Sequence, residues 1–468
     1  MKEKEQNELE ITRGMYVTVR FLALALCLLM LFFIGRGAIH FCLGLFADGD
    51  HLVNFPGQES PIVSLEDLEV KPKPVYIDPS QRVEIARADF TVAGDMMLHL
   101  PIVRTSAVAD GYVFDDIFTY VKPYLAASDY AVANLETTLS GTDGKEYTGF
   151  PNFNSPDQFA LSAQSVGFDL LLTGNEHCYD YGTAGLQRTL STLKDYGLDT
   201  LGTVENRTEP RHMVKNINGI KVGMACYTFA DIDENGNVTI NSLTTDSTSA
   251  GLINAFDYDK LSQFYTEVEG EIASMKANGA DTVILFIHWG DELSTKISDN
   301  QTAIAQKLCD LGVDVIAGSH PHVVQPVDLL TSTVDPAHKT LCLYSAGNFL
   351  SNQRADNISL TTGHSEDGVL FNFSLTKYND GSVRVSAVSL LPTWVLVKGS
   401  DENRDFYILP LHQAVVDWQN NYNLSDEELS GAKNSYNRTM ALVTPGLNTI
   451  VSYLSEKNAE LDPNLGVG

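Results

Sequence analysis

One repeating pattern in the middle of the chain limits the folds open to it more than anything else in the sequence. From Ala88 onward, short continuous apolar runs alternate with longer stretches of helical period. The runs FTVAG (90–94), YAVANL (130–135), FDLLLTG (168–174), KVGMACYTF (221–229), TVILFIHWG (282–290), VDVIAG (313–318) and TLCLYSAG (340–347) read as strands. Segments 156–166, 183–196, 257–278 and 299–311 read as helices. A strand covered on both faces has no polar side to show, so it is apolar throughout. Strands of this kind separated by helices predict an α/β fold: a layered sandwich with helices flanking central sheets. The later stretches 367–378 and 383–391 read as antiparallel strands. A main domain over 88–395 is therefore expected. A mostly helical C-terminal segment, 396–468, follows it, on the pattern of residues 402–457.

The N-terminal part has a different character. Phe21 to Ile34 is an unbroken apolar run, FLALALCLLMLFFI. With its flanks it reaches the roughly 20 residues that a bilayer span needs. Lys2, Lys4, Arg13 and Arg20 precede the run, and Arg36, Asp48 and Asp50 follow it. The positive-inside rule then places the N-terminus in the cytoplasm. Residues 1–46 are expected to be a cytoplasmic tail and an uncleaved transmembrane signal anchor. Residues 47–87, polar, acidic and proline-bearing, are expected to be an extracytoplasmic linker. The chain is thus read as a single-pass protein of the cell membrane. Its formal net charge of -29 repels polyanions at long range and argues against a nucleic-acid partner. The six cysteines show no C-x-x-C spacing, which argues for buried free thiols rather than a zinc ribbon.

Chemistry enters where the strands end. FTVAG runs into Asp95 and then His99, and YAVANL into Glu136. FDLLLTG runs into Asn175, Glu176 and His177. TVILFI runs into His288, with Glu292 beyond, and VDVIAGS into His320 and His322. Ligands of open α/β sheets bind beyond the carboxyl ends of the strands, so these residues can build one site. Of the 11 histidines, five fall in these motifs, a bias that core packing does not explain. His320 and His322 are alternate residues, which in an extended segment point the same way and can face one ion. Asp180, before Tyr181 and Gly182, reads as a helix N-cap. Tyr179, Trp289 and Phe349 read as core or pocket wall.

The ordered motifs GDMMLH (94–99), NLE (134–136), GNEHCYDYG (174–182), HWGDE (288–292), GSHPH (318–322) and SAGNF (345–349) resemble the CapA family. That family is named for poly-γ-glutamate capsule synthesis, and its domain resembles the calcineurin-like metallophosphatases. The likeness implies that Asp95, Glu136, Asn175, His288, His320 and His322 hold metal, with Glu136 bridging, and that His177 faces the substrate as the catalytic residue. His99, Glu176 and Glu292 are further metal or substrate candidates. Glu176 stands where the family usually has Asn; it either adds negative charge beside the metals or points away. The likeness implies two divalent ions, and mixed N/O ligation fits Mn, Fe or Zn better than Mg or Ca. The expected function is capsule-polymer biosynthesis at the cell surface with a hydrolase-like site for a phosphoester or a γ-glutamyl amide. A polymer synthase or export complex would be its partner and an anionic polymer or phosphoester its substrate. A non-catalytic polymer-binding subunit and a secreted metallophosphoesterase unrelated to capsule are the alternatives.

Overall fold

The structure, a computed structural model, describes residues 82–461 apart from 144–145, 247, 401–403, 413–414 and 416. The apolar run read as an anchor and nearly all of the linker lie outside the described residues. Among the described residues no helix is long and apolar enough to cross a membrane.

Two sheets with flanking helices make a mixed α/β fold. The first sheet has eight strands. Along it lie Asp405–Pro410, Val383–Lys398, Asp367–Tyr378, Glu84–Met96, Tyr130–Leu135, Leu170–Leu172 and Asp199–Leu201, with Asn348–Leu350 also pairing on Glu84–Met96. The run from Glu84–Met96 to Asp199–Leu201 is parallel, and the three strands before it are antiparallel. The second sheet has seven strands, centred on Ile220–Phe229, Thr282–His288, Val315–Ser319 and Lys339–Leu343, which are mutually parallel.

Side-chain alternation explains the layers. Phe90, Val92, Tyr130 and Val132 of the first sheet share one core with Ile284, Phe286, Val315 and Leu341 of the second. Their neighbours point the other way. Ala131, Ala133 and Leu135 meet helix Gln158–Val166 through Phe159 and Ala163. Val283, Leu285 and Ile316 meet helices Leu261–Ala277 and Asp299–Asp310 through Phe264, Val268, Ile304 and Leu308. Continuous apolar runs are what this arrangement demands, since both faces of each central strand are covered. Phe286 is fully buried, and its truncation to Ala would cost about 3–5 kcal/mol. Helix Asp299–Asp310 starts on a capping box in which Ser298 and Gln301 satisfy each other's backbone N–H.

The C-terminal part differs from the helical expectation. The strand starting at Val383 runs on to Lys398, and Asp405–Pro410 pairs with it as an edge strand. The reason is a short period-two pattern: Phe406 and Ile408 enter one core while Leu409 and Leu411 enter another. Beyond it, helix Asp426–Leu461 seats Val443, Ile450 and Leu454 in the inter-sheet core. It approaches the second sheet so closely at Gly446 that a Cβ there would lie 1.7 Å from the carbonyl oxygen of Val327. Arg438 pins it to Asp367 through two hydrogen bonds of 2.8 and 2.9 Å. The described cysteines, Cys178, Cys226, Cys309 and Cys342, are free and buried.

Candidate metal centre

The site grows out of the inter-sheet face. Along Tyr130–Leu135, Val132 faces the shared core, so Asn134 and Glu136, two and four residues on, continue the same face. His288 likewise continues Ile284 and Phe286, and Ser319 continues Val315 and Ala317. The face that is apolar at mid-strand becomes polar at the carboxyl ends of both sheets, and the two polar rims meet there. Asp95 reaches the same place after a register irregularity between Val92 and Asp95. The adjoining Gly94 packs on Gly347, where a Cβ would lie 1.9 Å from a carbonyl oxygen.

Among the described residues, four overlapping groups of three result, of which two share no residue. Asp95, Glu136 and His322 form one, and Glu176, His288 and His320 the other; within each, one ligand atom per residue lies within 4.8 Å of the rest. All six are buried. His322 Nδ1 stands 3.1 Å from Asp95 Oδ2, and His320 Nδ1 stands 2.8 Å from Glu176 Oε2. The expectation that His320 and His322 share one ion from an extended segment is corrected. Both lie in bends with positive φ, 97° and 56°, and this strained turn divides the two rings between the groups. Glu176 is resolved too: it points inward, onto His320 and His288. Exposed Glu292 can join Glu176 and His322 in a third group, and His177 can join Glu136 and Glu176 in a fourth.

Asn134 organises the centre. Its Nδ2 donates to Asp95 Oδ1 at 2.8 Å and to Glu136 Oε2 at 3.1 Å, and its Oδ1 accepts from Asn175 Nδ2 at 2.9 Å. Asn175 also donates to the carbonyl of Leu135, and its Oδ1 accepts from the backbone N–H of His177 at 3.2 Å. One lone pair of that oxygen is left for a metal. Asp180 is not a helix cap. The following helix begins at Gly182 behind Tyr181, without a side-chain cap. Instead Asp180 Oδ2 meets His177 Nδ1 at 2.8 Å and accepts from the N–H of Phe153 at 2.6 Å. Asn241 Nδ2 donates to its other oxygen at 2.7 Å. His99 is partly buried and accepts from the N–H of Asn352 at 3.3 Å. Phe153 packs edge-on against both His99 and His177. Phe229 packs against His320 and stacks on His288. Trp289 and Phe349 are fully buried in outer cores, and Tyr179 in a separate one. The walls of the site are therefore Phe153 and Phe229, which sequence reading did not single out.

Burial and the neighbouring charges of Asp95 and Glu176 push the Glu136 carboxyl well above the usual range. Burial works against Asp95 and Glu176 as well. It is outweighed by His322 and His288 for Asp95, and by His320 and His288 for Glu176, whose carboxyl is held well below the ordinary value. Burial holds His288 and His99 down at about 4, whereas Glu176 outweighs burial and raises His320. His288 is thus a neutral imidazole at neutral pH, the form that ligates metal. The most telling atom is Glu136 Oε1. It is buried, has no hydrogen-bond partner, and lies 3.6 Å from His322 Nε2 and 3.8 Å from His288 Nε2. An orphaned carboxylate oxygen among imidazoles costs free energy that a divalent cation would offset. The donor set, imidazole nitrogen with carboxylate oxygen, fits such an ion.

The fold and the site together define a class: a two-sheet α/β protein with a His- and carboxylate-rich metal-type centre where the carboxyl ends of both sheets meet. Residues 89–353, more than half of the chain, match the bacterial capsule synthesis protein family PGA_cap, and the chain belongs to that family. It is 28% identical over 298 residues to the capsule biosynthesis protein CapA of Bacillus anthracis, covering 62% of this chain and 67% of the relative. It is 25% identical over 279 residues to the PGA biosynthesis protein CapA of Bacillus subtilis (strain 168), covering 59% and 65%. A probable polyglutamine synthesis accessory protein of Mycobacterium tuberculosis is 24% identical over 213 residues, 43% of this chain and 52% of that one. The matched region thus spans about two thirds of the length of the two Bacillus relatives. All ten residues expected in the site, from Asp95 to His322, fall within the family match.

Proposed function

We propose that this protein acts in the biosynthesis of a capsule polymer, poly-γ-glutamate or a related chain, from the outer face of the cell membrane, through a metal-dependent hydrolase-like site. Family membership and the names of the relatives support the capsule role. The partnerless Glu136 Oε1 carries the metal reading. Asp95, Glu136 and His322 would hold one ion and Glu176, His288 and His320 a second, with Mn, Fe or Zn matching the mixed donors. Such ions supply Lewis acidity and lower the pKa of water. The protein's own groups do the rest. Asp180 fixes the His177 ring, so that Nε2 faces the site and can carry a proton to or from a reacting atom. Phe153 and Phe229 exclude water beside the imidazoles. Exposed Glu292 and partly buried His99 would be the further contacts for substrate. A phosphoester and a γ-glutamyl amide both suit these groups.

Elemental analysis of the full chain, with the double variant His320→Ala plus His322→Ala as control, tests this. About two transition-metal equivalents, lost in the control, support the site and direct assays to phosphoester and γ-glutamyl substrates. No metal after reconstitution with Mn, Fe or Zn sinks the hydrolase reading and leaves a polymer-binding subunit.

A further inference from the structure

The opposite end of the sandwich holds a second pocket. A cavity of about 380 Å³ opens where strands Val315–Ser319 and Lys339–Leu343 begin. It is on the order of 15 Å from the metal centre, the length of a five-residue strand. Leu329, Leu341, Val383, Val385, Ile450 and Leu454 line it with apolar surface. Lys339, Arg384 and Lys457 line it with positive charge. Lys339 and Lys457 hold their ammonium groups 5.9 and 6.0 Å from the Tyr453 ring centroid, and Lys339 also donates to Thr331 Oγ1. Among the described lining residues the carboxylate is Asp314, whose Oδ2 accepts from the Val283 N–H and the Thr282 hydroxyl, both at 2.8 Å, and whose Oδ1 stands 4.0 Å from His338 Nδ1, so three basic side chains face one carboxylate. A cationic, apolar-floored pocket on a chain of net charge -29 is a local reversal of the protein's field.

We propose that this pocket binds an anionic amphiphile, namely the headgroup and upper acyl chain of an anionic membrane lipid. The apolar floor disfavours a free phosphate, which has no methylenes to bury, and a polymer charged at every unit, whose short methylene pairs would bring a carboxylate onto the floor with them. The cationic rim disfavours a neutral lipid. The same end carries exposed apolar side chains flanking the lining residues: Val334 is 73% exposed and Val451 44%, with Ile85 at 59% near the start of the first strand. Such side chains suit the interfacial region of a bilayer. This is also the end at which the chain joins the described domain. Arg82 pairs with Asp380 at 2.7 Å, and the Val83 N–H donates to Asn379 at 3.0 Å, both in the turn before Ser382, which lines the pocket. Seated this way, the domain would direct its metal centre away from the bilayer. The inference stands apart from the metal reading, since the two ends share no residue.

The test is calorimetric titration of the full chain, kept in a neutral detergent, with three monomeric probes: dihexanoylphosphatidylglycerol, dihexanoylphosphatidylcholine and glycerol 3-phosphate. The anionic lipid is expected to bind at least about tenfold more tightly than either of the others, a preference that about 1 kcal/mol per basic residue makes accessible. Lys339→Ala plus Lys457→Ala is expected to weaken it roughly 30-fold. Val383→Trp, which fills the pocket and leaves the charges, is expected to weaken it without weakening glycerol 3-phosphate. An unchanged unfolding midpoint and metal content certify each variant as folded, and failure of one variant leaves the other as the test. Equal affinity for the zwitterionic lipid, equal affinity for glycerol 3-phosphate, or indifference to both variants each overturns the proposal.

Discussion

The two halves of the metal-type centre are built from similar residues in different proportions. The group fed by the first sheet, Asp95 and Glu136 with His322, has two carboxylates and one imidazole. The group centred on the second sheet, His288 and His320 with Glu176, has two imidazoles and one carboxylate. Carboxylate-rich sites suit harder ions such as Mn, and imidazole-rich sites suit Zn or Fe. The halves also differ in what holds them. Asn134 donates to both carboxylates of the first group, whereas in the second Ser319 meets His288 and Glu176 meets His320 directly. The difference teaches that ions held by the two groups would not be equivalent, and that Glu136, facing imidazoles of both groups, is the hinge between them.

The largest effect is expected from removing that hinge. Glu136→Gln should lower metal content from about two equivalents to less than one. Its effect on the metal-free protein should have the opposite sign. Glu136 titrates well above its ordinary value when folded. Its contribution to stability is therefore full only below the unfolded pKa and is lost as pH rises through the folded one. At neutral pH the amide removes that burden, so with chelator present the unfolding midpoint should rise, on the order of 2 °C. A fall in both states would show that the carboxylate is structural and that the comparison is drawn around the wrong residue. Next in size, His288→Ala should remove the second ion while sparing the first. Asp95→Asn should do the reverse, each with a loss of affinity at its own group larger than the roughly 10–100-fold that losing an outer orienting partner costs. Competition between Mn and Zn reads the outcome; equal loss of both metals in both variants would erase the distinction between the halves.

A subtler effect is confined to the second half. Glu176 raises His320, so a proton must leave that ring before metal binds. Affinity at this group should therefore fall as pH drops through a range above the ordinary histidine value. Glu176→Gln should move the midpoint of that fall to lower pH, because the amide no longer holds the imidazolium. A midpoint that stays put in the variant would show that His320 is not the titrating ligand.

Most of the framework of this centre was legible because it is written along single strands. Continuous apolar runs gave the two covered sheets, and polar residues at their carboxyl ends gave Asp95, Glu136, Asn175, Glu176, His177, His288, His320 and His322. Asn134 was also within reach, since it shares a face with Glu136 two residues later. What stayed hidden depends on contacts across the chain. Asp180 looks like a cap because a helix follows it, yet its partners Phe153 and Asn241 lie 27 and 61 residues away. The division of His320 from His322 depends on a positive-φ turn that no pattern of residue types announces. Edge strand Asp405–Pro410 was lost among helix-like neighbours because six residues carry too few periods to outvote them.

The smallest perturbation of the metals should come from this hidden layer. Asp180 and Asn241 touch neither group of three; they act on His177. The turn Asn241–Ser242, with φ of 43° and 63°, delivers the Asn241 amide to Asp180 and to the carbonyl of Pro151 at once. Asp180→Asn should leave both equivalents of metal in place yet lower turnover of a test phosphoester by about 10–100-fold, the usual effect of losing an orienting partner. Asn241→Ala should lower it only severalfold, because the Phe153 N–H still holds Asp180. If either substitution released metal instead, His177 would belong with the ligands, and the site would divide into three groups rather than two with a separate proton carrier.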